Sequence, residues 1–90
     1  MTKSDIVNEI ARKTGVEKNV VISCVEAFTS TVAESLINGN PVYLRGFGSF
    51  ILKTRARKIG RNISKNVAID IPEHKIAAFK PSQVLAEKVK

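Results

Sequence analysis

A dense run of positive charge is the part of this sequence best suited to chemistry. Between residues 53 and 65 there is no acidic side chain, and six side chains are basic: Lys53, Arg55, Arg57, Lys58, Arg61 and Lys65. Guanidinium and ammonium groups bind phosphate oxygens through charge-assisted hydrogen bonds. The pattern therefore favours a binding site for a polyanion.

The alternative interpretation of such a run is an ordinary solvated surface. Here the run straddles a predicted hairpin, whose two strands would repel each other through like charges. The hairpin also has few bulky apolar residues, and an isolated two-stranded hairpin is marginal in water. Residues 53–61 would span roughly 30 Å as extended chain. We therefore expect an arm that follows a DNA groove or wraps the duplex.

The overall charge is unevenly distributed along the chain. The formal net charge is +7, but residues 1–44 hold four basic and five acidic side chains, against eleven and three in residues 45–90. Such asymmetry indicates a nucleic acid or an anionic membrane as partner. Because the charged segment is predicted as strand and not as an amphipathic helix, a membrane fits poorly.

Little in the sequence suggests catalysis. The only histidine, His74, follows Glu73 and is predicted to be a surface residue of a strand. Neither paired carboxylates nor a phosphate-cradling glycine loop is evident, so we expect no enzyme, no cofactor and no metal. The only cysteine, Cys24, lies among apolar residues and is predicted to be a small buried side chain.

No continuous apolar run approaches the roughly 20 residues that cross a bilayer. The first residues also lack the apolar segment of a secretory signal. We therefore expect a soluble, cytoplasmic protein.

Two helices are predicted in the first half of the chain. The first begins near Thr2 and Asp5 and ends at Thr14-Gly15, and the second covers residues 18–38. The second is apolar apart from residues such as Glu26 and Glu34, whereas a recognition helix exposes Arg, Lys, Asn or Gln. We interpret it as a core or dimer helix.

Strands follow, and the predicted fold class is α+β in a single domain. The strands are expected at residues 42–45, 49–59, 67–71 and 74–80, giving a three-stranded antiparallel sheet with a long β-arm. Pro81 would open a short final helix over residues 82–89. Alternation along the arm places Arg57 on the same face as Lys53 and Arg55. Lys58 would share that face only if there were a bulge near Ala56, so Arg57 and Lys58 are alternatives for one binding position.

Gly46-Phe47-Gly48 has a structural and a functional interpretation. The phenylalanine suits a core or a subunit interface, while the Gly46 backbone N–H could contact a phosphate. We expect both.

Three motifs together resemble the HU/integration host factor family of bacterial nucleoid proteins. They are Gly46-Phe47-Gly48-Ser49-Phe50, residues 55–62 (RARKIGRN) and Ala78-Phe79-Lys80-Pro81, and the resemblance covers the whole chain. It implies an intertwined homodimer, with a heterodimer of paralogous chains as the alternative. Its parts would be a helical dimerisation base (1–40), a sheet (41–80) with an arm at about 53–75, and a C-terminal helix (81–90).

The resemblance also implies a function and its residues. It indicates a histone-like protein that binds duplex DNA with little sequence specificity, its arm tips in the minor groove, and that wraps, bends and compacts DNA in the nucleoid. Residues expected at the DNA are Lys3, Arg45, Gly46, Lys53, Arg55, Arg57, Lys58, Arg61, Asn62, Ile63, Lys65, Lys75 and Lys80. Residues expected in the dimer core are Phe28, Val32, Leu44, Phe47, Phe50 and Phe79.

Departures from the family pattern bear on the strength of binding and bending. Ile63 stands where proline usually wedges between base pairs, and isoleucine is also a known apolar wedge. Gln83 and Ala86 stand where basic residues are common in the family, so the flank of the body should bind long DNA more weakly. The rival functions are sequence preference by indirect readout and, secondarily, RNA binding, for which the groove geometry differs.

Overall fold

The computed structural model describes the backbone of residues 1–56, 58–62 and 67–90, and the side chains of residues 1–56 and 72–90. The chain forms two compact units, Met1–Ser35 and Leu36–Lys90. The expected α+β class is confirmed, with three helices and a three-stranded antiparallel sheet among the described residues.

Helix α1 (Lys3–Thr14) is defined by caps at both ends. Thr2 and Asp5 form a capping box, in which the Asp5 carboxylate accepts from the Thr2 backbone N–H at 2.9 Å and from its hydroxyl at 3.0 Å. These two hydrogen bonds, the backbone one first, lower the pKa of Asp5. Gly15 closes the helix in the left-handed conformation (φ 73°).

Helix α2 (Lys18–Ile37) packs against α1 within the first unit. The Lys3 ammonium reaches the Glu26 carboxylate across the two helices at 3.1 Å. Among the described side chains, the buried hydrophobic residues are only Val7 of α1 and Val21 of α2. The helix ends before Gly39, whose positive φ of 85° and bond from its N–H to the Leu36 carbonyl turn the chain.

By length and composition alone, α2 could cross a membrane. The sequence expectation concerned uninterrupted apolar residues, whereas α2 reaches the mean hydropathy of a membrane-spanning helix although serines, threonines and two glutamates separate its apolar residues. Apolar helices of this length also occur in the cores of water-soluble proteins.

Strands β1 (Val42–Leu44), β2 (Gly48–Arg55) and β5 (His74–Pro81) form an antiparallel sheet in the order β1-β2-β5. The turn between β1 and β2 closes with a bond from the Phe47 N–H to the Leu44 carbonyl at 3.0 Å, and Gly46 has φ 82°. This positive φ at the third turn residue is what a type II turn requires.

Strands β3 (Lys58–Asn62) and β4 (Val67–Ile71) form a second antiparallel ladder. The single strand expected over residues 49–59 is therefore interrupted, since β2 ends at Arg55 and Ala56 lies outside any strand. The returning chain is interrupted as well, at Pro72 and Glu73 between β4 and β5, and Pro72 has no N–H to donate to a ladder. Arg55 pairs with His74 and Lys58 with Ile71, so both ladders keep one register.

Helix α3 (Gln83–Val89) begins one residue later than predicted. The Ser82 hydroxyl caps it by accepting from the Leu85 N–H at 3.1 Å. The prediction that Pro81 opens this helix was wrong. Pro81 is the last residue of β5, where it pairs with Gly48.

Much apolar surface of the described chain is open. An apolar groove of about 520 Å³ in the first unit is lined by residues including Val21, Val25 and Phe28. Cys24 also lines it and is exposed, so the prediction of a buried thiol was wrong for the single chain. Large hydrophobic side chains at least 40% exposed include Ile6, Val20, Phe28, Ile37, Phe47, Phe79 and Val84. A chain with this surface has little core of its own.

Candidate nucleic-acid interface

The register of β2 and β5 sorts their side chains onto two faces. Side chains alternate along a strand, and residues paired across the ladder point to the same side. Lys53, Arg55, His74 and Lys80 therefore share one face, which we call the basic face. All four are exposed.

The cations of the basic face have no counter-charge among the described side chains. None of Lys53, Arg55 and Lys80 forms an ion pair with any residue whose side chain is described. Exposed cations left unpaired on one side of a sheet attract a polyanion and can bind its phosphates without an internal pair being broken.

The opposite side of the same sheet is aromatic. We call it the aromatic face and define it by Phe50 and Phe79, with Phe47 of the preceding turn packed against them. The Phe79 ring lies 5.2 Å, centroid to centroid, from both Phe50 and Phe47. A Cβ at Gly48 would lie 2.5 Å from the Phe79 ring and 2.7 Å from the Lys80 carbonyl oxygen. Gly48 is thus required for the close packing of Phe79.

A recess at one end of the sheet gathers several residues predicted from the sequence. Arg45, Gly46 and Lys80 line a cavity of about 340 Å³ together with Ser82 and Gln83. The Ser82 N–H donates to the Phe47 carbonyl at 2.9 Å, which ties the start of α3 to the turn. Two cations and a positive-φ glycine thus meet at one concave site, suited to an anion such as a phosphate.

Two predicted DNA contacts are not members of the basic face. Lys75 pairs with Thr54, so the register places it on the side of Phe50 and Phe79. Lys3 belongs to the first unit, where its ammonium is paired with Glu26.

The predicted arm contacts are described only in part. Strand β3 holds Lys58, Arg61 and Asn62, and the last of these pairs with Val67 at the end of the second ladder. Arg57, Ile63 and Lys65 lie outside the described residues. The choice between Arg57 and Lys58 therefore stays a prediction.

His74 is the member of the basic face that the sequence did not select for DNA contact. It was expected on a strand surface, and it is exposed there. Its position opposite Arg55 was missed because the face of a residue depends on the cross-strand register.

The chain is similar over its full length to known proteins. A family model described as bacterial DNA-binding protein matches residues 1–90. DNA-binding protein HU of Thermotoga maritima is 38% identical over 90 residues, covering 100% of both chains. DNA-binding protein HU of Thermus thermophilus is 39% identical, covering 100% of this chain and 93% of that one. A solved Anabaena HU–DNA cocrystal structure aligns with a TM-score of 0.93 and 34% identity, covering 99% of this chain and 97% of its own.

Proposed function

Because this chain belongs to the family of bacterial DNA-binding proteins, we propose that it is an architectural protein that binds duplex DNA with little sequence specificity and wraps, bends and compacts it. The resemblance to the HU/integration host factor family is thereby confirmed. Members of the family are architectural and not enzymatic, so this chain is not an enzyme. The observation that carries the proposal is the basic face, whose lysines and arginine are exposed and form no ion pair with any side chain that the structure describes.

Binding would act mainly on the DNA backbone. Each phosphate neutralised by an arginine or lysine releases condensed counterions, which favours association regardless of sequence. The basic face would contact the DNA near the body of the protein. Strand β3 and the residues after it would contact the DNA further out along the arm. The proposed DNA contacts are Lys3, Arg45, Gly46, Lys53, Arg55, Arg57, Lys58, Arg61, Asn62, Ile63, Lys65, Lys75 and Lys80.

We infer a homodimer from the open apolar surface. Phe28 is 47% exposed, Phe47 48% and Phe79 41%. Exposed apolar patches of this kind mark sites of protein–protein interaction. A second copy would cover the aromatic face and the groove of α2, with Val32, Leu44 and Phe50 completing the interface. The helical base of residues 1–40 would then serve dimerisation, and residues 41–80 DNA contact. A heterodimer with a paralogous chain is the alternative.

The setting follows from the same chemistry. We propose that the protein acts in the cytoplasm, at the nucleoid, because its proposed partner is duplex DNA. RNA is a secondary partner, because an A-form duplex presents a different groove geometry. We assign α2 to the dimer and not to a membrane, because Glu26 and Glu34 would be costly inside a bilayer.

A footprint on duplex DNA of mixed sequence tests the proposal. We expect protection spread along the duplex with no preferred site, and weaker binding to an RNA duplex of the same length. A single protected site would instead favour sequence preference by indirect readout. Tighter binding to the RNA duplex would contradict the proposed partner.

Bending is proposed to depend on the residue in the position of the usual proline. Ile63 would insert at the minor groove and open a base step. Fluorescence energy transfer across an end-labelled duplex can compare the parent chain with Ile63→Ala and Ile63→Pro. We expect Ile63→Ala to bend the duplex less than the parent does. Equal bending by all three proteins would exclude a wedge role for Ile63.

A further inference from the structure

His74 occupies a position from which it can reach the DNA backbone proposed above. It is the first residue of β5 and lies directly opposite Arg55, the last residue of β2. The two Cα atoms of such a pair are typically about 5 Å apart, so both side chains can reach one phosphate. The site is exposed and belongs to the basic face.

One ring nitrogen of His74 is already engaged. Nδ1 lies 3.0 Å from the backbone carbonyl oxygen of Pro72. A carbonyl oxygen can only accept a hydrogen bond, so Nδ1 carries the hydrogen and donates it. In the neutral ring, Nε2 is then an acceptor with a lone pair. A neutral His74 therefore has no free donor for a phosphate oxygen.

Protonation changes what the ring offers. The imidazolium donates at both nitrogens, so it can keep the bond to Pro72 and present an N–H at Nε2. A phosphate oxygen beside it would accept from His74 and from the guanidinium of Arg55 at once. The proton comes from the solvent, and no covalent bond other than N–H is made.

We propose that His74 is a proton-gated phosphate contact at the base of the arm, taking up a proton at Nε2 when the DNA backbone binds there. This inference rests on the proposed function, because the phosphate it needs belongs to the bound duplex. Affinity for DNA would then rise as the pH falls, because only the protonated ring has a free N–H for a phosphate oxygen.

The charged groups around His74 among the described side chains are few. Arg55 faces it across the ladder, and Lys53 lies two residues further along the same face. Glu73 and Lys75 flank it in the chain. Free arginine, lysine and glutamate side chains titrate outside pH 6 to 8, and His74 is the only histidine. A pH dependence that is lost when His74 alone is replaced can therefore be assigned to it.

The test compares the parent chain with two variants on one mixed-sequence duplex at pH 6 and pH 8 and at constant salt. His74→Gln cannot titrate, and His74→Lys stays charged at both pH values. We expect the parent to bind roughly fivefold or more tightly at pH 6, since each proton taken up can change affinity by up to about tenfold per pH unit. His74→Gln should bind with similar, weak affinity at both pH values, and His74→Lys with similar, tight affinity.

The salt dependence gives a second readout. For the parent, the slope of log affinity against log salt should be steeper at pH 6 by about 0.9 for each phosphate gained. Neither variant should show this change in slope. If His74→Gln keeps the pH dependence of the parent, the inference is overturned while the proposed function stands. If the parent fails to bind DNA at both pH values, the proposed function fails and this inference fails with it.

Discussion

At the scale of single residues, the charge on the basic face is what should distinguish DNA binding from general solubility. Lys53 and Lys13 are both exposed lysines, and neither is ion-paired with a described side chain. Lys53 lies on the basic face, whereas Lys13 lies in the last turn of α1. The two residues therefore form a matched pair for removing one positive charge.

We predict that Lys53→Gln weakens binding to any duplex sequence by a similar factor. Each protomer of a homodimer would lose one phosphate contact, so the slope of log affinity against log salt should become shallower by roughly 2. Lys13→Gln removes the same charge and should change the slope little. Fluorescence anisotropy titrations at several salt concentrations measure both. Equal effects of the two variants would mean that net charge, and not the basic face, governs binding.

At the scale of elements, the cap of α1 links a local motif to stability. The pKa of Asp5 is lowered because the Thr2 backbone N–H, and then its hydroxyl, donate to the carboxylate. A carboxyl group whose pKa is lowered by folding stabilises the fold at a pH above its ordinary value of about 3.9. That contribution is lost as the pH falls through the folded value.

We predict that Asp5→Asn lowers the urea midpoint of unfolding at pH 7, and that the difference from the parent shrinks below about pH 4. Glu87→Gln, a change to an exposed residue of α3, should show no such pH-dependent difference. A constant difference between parent and Asp5→Asn from pH 7 to pH 3 would show that the carboxylate bonds do not stabilise the helix.

The elements also show what a sequence can and cannot reveal. The ends of α1 were predictable because Thr2, Asp5 and Gly15 act within one turn of the helix. The interruption after Arg55 was not, because the end of a strand inside a hairpin depends on pairing with the returning chain, which is itself interrupted between β4 and β5. For the same reason, the place of His74 beside Arg55 required the register of two strands.

The site was predicted unevenly for a related reason. The basic character of residues 53–65 is visible in the sequence alone. Which cations share a face depends on cross-strand pairing, which separates Lys75 from Lys53 and Lys80. The exposure of Cys24 in the single chain also escaped prediction, because an apolar neighbourhood in sequence does not say whether the same chain or another one covers it.

At the scale of the whole molecule, the open apolar surface predicts that stability depends on association. Phe47 packs on the aromatic face, while Tyr43 pairs with Ser49 and is 73% exposed on the side of the basic face. Glutamate at either position introduces the same charge on opposite sides of the sheet. Only the change at Phe47 should disturb a dimer.

We predict that Tyr43→Glu sediments as a dimer like the parent, whereas Phe47→Glu is monomeric or unfolded. The melting temperature of the parent should rise with protein concentration, because folding and association are coupled. Analytical ultracentrifugation and thermal scans at several concentrations measure these effects. A monomeric parent whose melting temperature is independent of concentration would contradict the dimer.

The most direct test of the central claim, that basic faces and arms grip the DNA backbone, is the salt dependence of binding to a mixed-sequence duplex. If each arm of a homodimer neutralises roughly four phosphates, log affinity should fall with log salt at a slope of about −7. That result would show that charge neutralisation provides most of the affinity for DNA. A slope near zero would contradict the account.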